Sequence, residues 1–181
     1  MKRATYKRLQ EKTAKILHEA GIILTPKEKE NIEIADLGVK DIENIGLEVV
    51  VYVNNDRYCA KELVLFPYQI CPEHRHPPTE QTGDGKMETF RCRKGEVYLY
   101  IEGEPTEDIK AEIPEKYAEY LTVKHEIVLR PGEQFTITSD TKHWFQAGEE
   151  GCIVSEFSSA SDDESDIFTD PRVKRIPVIE D

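Results

Sequence analysis

The chain has 181 residues, 38% hydrophobic and 33% charged, enough for one globular unit with a substantial core and a well-solvated surface. Its 24 basic and 36 acidic side chains leave a formal net charge of −12, which disfavours phosphate backbones and anionic membranes as partners. No apolar run approaches a membrane span, and the basic start MKRATYKRLQEK lacks the apolar segment of a secretory signal, so a cytoplasmic protein is expected.

Tyr6, Leu9, Ile16, Leu17 and Ala20 recur at three- and four-residue spacing, interrupted by Thr13. They predict a first helix closed by Gly21. Thr25-Pro26-Lys27-Glu28 is a capping box with proline at the first helical position. It predicts a second helix running to about Asp36, which Leu37-Gly38 ends, and the charges at 27–30 read as a solvated face. From Ile45 the pattern changes. Residues 46–53 and 60–66 read as strands either side of the turn Asn54-Asn55-Asp56. Further strands are expected over 88–93, 96–101, 123–129, 133–138, 142–147 and 152–157. The charged insertion between Ile101 and Leu121 reads as an irregular loop with a short helical piece after Pro114. Short strands separated by turn residues predict an all-β antiparallel sandwich or barrel. The expected organisation is a single domain over 1–181: a helical extension (1–45), a barrel (46–157) and a C-terminal tail (158–181). The tail is acidic and polar, but Ile167, Phe168, Val173, Ile176, Pro177 and Val178 predict that part of it packs on the barrel.

The chemistry concentrates between Cys71 and Gly95. His74 and His76 lie two residues apart, and on a strand they lean toward one face, as two imidazoles on one metal must. Glu88 offers a carboxylate at the start of a predicted strand, and His143 in TKHWFQ offers a third imidazole. Three nitrogens and one oxygen suit a single borderline or hard divalent ion. Glu80 is the rival carboxylate, but it lies in PPTEQTGDG, a loop that would pre-organise a ligand poorly. The four cysteines form no CxxC pair and read as reduced thiols, mostly buried or half-buried; Cys71 is near enough to the histidines to be a soft alternative ligand.

Two residues are candidates for catalysis. Glu156 alternates in phase with Cys152 and Val154, so a barrel that buries those two buries a carboxylate as well. Lys61 is in phase with Leu63 and Leu65 and would reach the same interior, to hydrogen-bond a bound hydroxyl or polarise a carbonyl. The bland alternatives put Glu156 and Lys61 in solvent. His18 reads as a surface histidine of the first helix and His125 as packed or half-exposed. Trp144 or Phe145 could stack on a bound ligand, but core packing is the commoner role, and Tyr98 with Tyr100 could line a rim or an interface. Arg91 and Arg93 are expected to point outward.

His74-x-His76, then Glu88, six residues and Gly95, form one motif. The second runs from Arg130-Pro131-Gly132-Glu133 to Lys142-His143, with ten residues between Pro131 and Lys142. Together they resemble the paired motifs of the cupin superfamily over residues 46–157, although the eleven residues between His76 and Glu88 exceed the usual gap. CPEHRHPP, GKMETFRCRKGEVYLY, HWFQAG and SEFSSASDDESDIFTDP, with LTPKEKENIEIADLG, are similar to the cupin-type D-lyxose isomerases. The resemblance implies a jelly-roll barrel, a homodimer, and Mn²⁺ held by His74, His76, Glu88 and His143, with Zn²⁺, Co²⁺ or Fe²⁺ chemically acceptable at the same donors. It implies interconversion of D-lyxose with D-xylulose, and of D-mannose with D-fructose, by proton transfer between C1 and C2. The same donors would serve a cupin sugar-phosphate isomerase, an Fe²⁺ dioxygenase or a non-catalytic sugar-binding cupin.

Overall fold

Hydrophobic alternation from Glu33 onward is realised as nine antiparallel strands in a computed structural model that describes residues 1–181. They are β1 (Glu33–Ala35), β2 (Leu47–Asn54), β3 (Cys59–Leu65), β4 (Ile70–Arg75), β5 (Glu88–Ile101), β6 (His125–Leu129), β7 (Gln134–Ile137), β8 (His143–Ser158) and β9 (Ile167–Phe168). The two longest strands organise the rest. β5 and β8 pair along their whole lengths, from Glu88↔Ser158 to Ile101↔His143. Their first and second halves then face different neighbours. β3 and β7 extend one wall at residues 152–158 of β8 and 88–91 of β5, and β1 and β2 continue it beyond β3. β4, β9 and β6 build the other wall on residues 143–146 and 97–101. The result is a jelly-roll barrel.

The bend between the walls is set by glycine. Gly95 has φ +73°, and a Cβ there would lie 1.9 Å from the carbonyl oxygen of Gly151, itself at φ +75°. The register shifts on both sides of this point. Segments expected as separate strands, 88–93 with 96–101 and 142–147 with 152–157, are therefore halves of two continuous, kinked strands.

Three apolar clusters follow from alternation. Val49, Leu63, Leu65, Phe90, Val97, Leu99, Phe145 and Val154 fill the barrel. The opposite phase of the same strands, Val50, Val64 and Ile153, packs under helix α1 (Arg3–Glu19) with Leu9 and Leu17. Thr13, which breaks the helical stripe, is fully buried because its hydroxyl donates to the Leu9 carbonyl at 2.9 Å. Tyr100 stacks on Trp144, ring centroids 4.0 Å apart, and packs with Tyr117 and Leu121 of the 102–121 insertion outside the other wall. That insertion carries a short 3₁₀ helix at Glu115–Tyr120, as its sequence predicts.

The capping box forms, with Thr25 accepting from the Glu28 amide and Pro26 opening helix α2 (Pro26–Glu30). The helix does not run to Asp36. Ile32 and Ile34 alternate and are fully buried under α1, so residues 33–35 pair with β2 instead. Here the two-residue period outweighs the capping signal. β4 escapes the strand pattern because ICPEHR carries a proline followed by the polar run Glu73-His74-Arg75. The tail after Ser158 lies back over the barrel through a 3₁₀ turn (Asp163–Ser165) and β9. Phe168 and Val173 are half-buried there, whereas Ile167, Ile176 and Val178 are exposed, so polar residues do much of the docking. No helix is long and apolar enough to cross a membrane.

Candidate active site and metal centre

Pairing of β4 with β8 sets His74 directly opposite His143, and His76 follows one residue beyond the end of β4. The three rings cluster, with centroids 4.3–5.3 Å apart and one ligand nitrogen from each within 4.8 Å of the others. Each ring has an acceptor at Nδ1: Pro72 O at 2.8 Å for His74, Thr141 O at 2.9 Å for His143, and Asp166 Oδ1 at 2.5 Å for His76. A carbonyl only accepts, so Nδ1 of His74 and His143 carries the hydrogen and Nε2 presents a lone pair. Glu88, at the start of β5, brings Oε1 to 2.9 Å from His143 Nε2 and 3.4 Å from His76 Nε2.

These atoms are buried, and His76 Nε2, His143 Nε2 and Glu88 Oε1 have no hydrogen-bond partner. Nitrogen lone pairs facing a carboxylate oxygen are costly unless a proton or a metal cation joins them. Burial, aided by the neighbouring imidazoles, holds His74 well below the usual histidine range. Burial also pulls His76 down, but the Glu88 carboxylate outweighs it and pushes the ring up to about 9. The site thus attracts positive charge and offers nitrogen and oxygen donors, so a divalent ion fits it.

A chain of alternating charges runs from this cluster across the barrel. Lys86 Nζ lies 2.6 Å from both Glu88 Oε2 and Glu156 Oε1. Lys61 Nζ is 3.9 Å from Glu156 Oε1, 2.9 Å from Asp163 and 3.2 Å from Ser161 Oγ. Arg175 closes the chain by donating to Asp163 at 2.8 Å and to Glu33. Burial alone would pull both lysines down, but Glu156, with Glu88 in the case of Lys86, outweighs it, so both stay ammonium ions. Burial likewise raises Glu88, yet Lys86 and His76 hold it well below the carboxylate range. Leu47, Val49, Leu63, Phe90, Phe145 and Phe168 complete the lining of a pocket around these charges.

His74, His76, Glu88, Lys61 and Glu156 all line this pocket, and His143, which is not itself in the lining, meets Glu88 at 2.9 Å. Glu80 is exposed in its loop. Cys71 borders the pocket, but burial pushes its thiol far up, and it stands outside the histidine cluster. His18 is exposed, and His125 is half-buried on β6 with Nδ1 at 2.9 Å from Glu104 O. Trp144 faces away from the pocket and donates to Val123 O, whereas Phe145 lines it. Arg91 donates to Gln134 outside the barrel. Lys86, Asp163, Asp166 and Arg175 are pocket residues that sequence reasoning missed. Lys86 had a signal: it stands two residues before Glu88, so an extended backbone puts both on one face.

The sequence model described as D-lyxose isomerase matches residues 27–181. The chain belongs to the D-lyxose isomerase family. It is 65% identical to a D-lyxose/D-mannose isomerase of Thermosediminibacter oceani, over all of this chain and 99% of that one. It is 63% identical to a D-lyxose ketol-isomerase of Thermofilum sp., over 96% of each chain. By structure it is similar to a mutant L-ribose isomerase of Acinetobacter sp. DL28 in complex with L-ribose, with TM-score 0.83, 13% identity, and coverage of 99% and 98%. That likeness identifies the fold as the cupin barrel. Family membership makes the protein an aldose–ketose isomerase.

Proposed function

We propose that the protein interconverts D-lyxose and D-xylulose, and D-mannose and D-fructose, with Mn²⁺ held by His74, His76, Glu88 and His143. The observation that carries this reading is the set of unpartnered, converging donors beside a second buried carboxylate, Glu156. The sugars follow the names of the relatives at 63–65% identity. A bound divalent ion would supply Lewis-acid stabilisation of charge developing on the sugar's carbonyl and neighbouring hydroxyl oxygens. Glu156 is the proton shuttle. It takes the proton from C2 of the open-chain aldose and returns it to C1, while the hydroxyl proton passes from O2 to O1, so that C2 ends as the carbonyl and C1 as the alcohol. Its Oε1 accepts from the Lys86 ammonium at 2.6 Å, which fixes the carboxylate's orientation and leaves lone pairs free to take a proton. Lys61, beside Glu156, offers a donor to a sugar hydroxyl. The apolar wall of Phe90, Phe145 and Phe168 excludes water around the reacting carbons.

The charge balance favours a free sugar over a sugar phosphate. Lys61, Lys86 and Arg175 already face Glu156, Glu88 and Asp163, which leaves no spare cation for a phosphate. Four buried free cysteines support a reducing compartment, the cytoplasm. Exposed Tyr52, Tyr58 and Phe157 support a homodimer, which sedimentation velocity tests.

The decisive experiment incubates Mn²⁺-loaded protein with D-lyxose and measures D-xylulose. No ketose with Mn²⁺, Co²⁺ or Zn²⁺ sinks the proposal. Glu156→Gln is expected to bind Mn²⁺ normally and to lose about 10²–10⁴-fold in kcat. A near-native rate would remove Glu156 from the shuttle role.

A further inference from the structure

The three imidazoles are not supported alike. His74 and His143 each rest Nδ1 on the carbonyl two residues back, Pro72 O and Thr141 O. Those supports come from the local backbone. His76 stands beyond the end of β4, and its Nδ1 meets a carboxylate ninety residues further along the chain, Asp166 Oδ1 at 2.5 Å. The Asp166 side chain is only 6% exposed. It sits between the 3₁₀ turn at Asp163–Ser165 and β9, which pairs with β4 at His74 and Arg75.

Resting on the metal-site reading above, we infer that Asp166 is a positioning residue for metal capture. It fixes the ring and tautomer of His76 and so makes the metal centre depend on the docked C-terminal segment. An imidazole without a partner at Nδ1 can turn about its side-chain bonds and exchange tautomers. Accepting the Nδ1 hydrogen leaves Nε2 with the lone pair and aims it at Glu88, 3.4 Å away. Carboxylate partners of ligand histidines raise their basicity as well as orienting them, and their loss typically weakens metal binding 10–100-fold. Asp166 is separable from docking of the segment as a whole. Asp163 is tied independently to Lys61 and Arg175, and Thr169 to Glu73 at 2.6 Å. Removing the Asp166 carboxylate therefore leaves the segment anchored on both sides. Linkage makes the effect reciprocal: if the docked segment favours the metal, the metal favours the docked segment by the same factor.

The test measures Mn²⁺ affinity by calorimetric titration of the chelator-stripped full chain. Asp166→Ala is expected to weaken Mn²⁺ binding about 10–100-fold. Asp166→Asn, which keeps an acceptor oxygen but not the charge, is expected to move the same way by less, and carries the test if the alanine variant does not fold. Asp170→Asn is the control. Asp170 is buried in the same segment and paired with Arg172, away from the histidines. It is expected to stay within about twofold of native, below the range for lost ligand partners. Folded Asp166→Ala that binds Mn²⁺ as native does would overturn the inference, as would Asp170→Asn losing as much as Asp166→Ala. Native protein that binds no Mn²⁺ would instead overturn the metal-site reading beneath it.

Discussion

Glu48 gives a pH dependence that can be worked from the structure. It lies on β2 with no solvent exposure, in phase with Val50 and therefore on the α1 side of the wall. Its Oε1 accepts from the Gln69 side-chain amide at 3.3 Å, and its Oε2 has no partner. The charged or titratable groups around it are Lys12, whose ammonium lies 3.4 Å over the Phe66 ring, and the Cys152 thiol, itself raised by burial. Burial pushes the Glu48 carboxyl up to about 8, and Gln69 with Lys12 offsets only part of that. A carboxyl raised in the folded state favours folding where both states are protonated. That advantage is full below the unfolded value near 4.5 and is lost as pH rises through about 8. Glu48→Gln imitates the protonated form and cannot ionise. The variant should therefore gain stability over native with rising pH, by roughly 3–4 kcal/mol between pH 5 and pH 8, at up to ~1.4 kcal/mol per pH unit. Urea unfolding of both proteins at pH 5, 6, 7 and 8, at constant ionic strength and without metal, reads this difference directly. A difference that stays constant within about 0.5 kcal/mol across the range would show that Glu48 does not hold its proton on folding.

Lys86→Met leaves Glu88 and Glu156 buried without the cation that joins them; metal-free protein should lose about 3–5 kcal/mol in a denaturant titration, and a loss below ~1 kcal/mol would contradict the bridging role. Glu73, buried on β4, accepts from Thr122 N, Val123 N and the Thr122 and Thr169 hydroxyls, so Glu73→Gln turns an amide donor against donors. That change should cost about 2–3 kcal/mol and lower Tm by roughly 4–10 °C; an unchanged melt refutes it. Gly95→Ala drives a Cβ into the Gly151 carbonyl at a left-handed φ, and should cost more than about 3 kcal/mol or abolish soluble protein; a native-like unfolding midpoint would show that the bend can relax.

Two-residue alternation made much of the site legible. Glu156 shares its phase with Val154, and Lys61 with Leu63, and those apolar partners do line the barrel. Trp144 and Phe145 separate by the same rule, one into the outer cluster and one into the pocket. Pre-organisation separated Glu88, on a strand, from Glu80, in an exposed loop. What alternation did not disclose was where a strand kinks without ending. At Gly95 and Gly151 the turn-like residue marks a bulge, because close approach of two backbones requires the missing Cβ, not a chain reversal. The N-terminal segment failed differently. A capping box fixes where a helix starts, but Ile32 and Ile34 gain more by alternating under α1 than by continuing one more helical turn.

The tail failed for a reason that leads to a usable rule. SSASDDESD is acidic and polar, the composition of a solvated tail, and its apolar residues offered the obvious means of docking. Ile176 and Val178 in fact remain exposed, and the tail enters the pocket through Asp163, Asp166 and Arg175. The barrel creates the demand for those charges. Once alternation points Lys61 and Glu156 inward, and Lys86 follows Glu88 to the same face, the interior holds several ions that must be matched or the fold carries unpaired buried charge. Asp163 is the counterion Lys61 requires, and Arg175 in turn answers Asp163 and Glu33. An acidic tail following a barrel with inward lysines is therefore a source of counterions, and its charged residues, more than its hydrophobic ones, say where it goes.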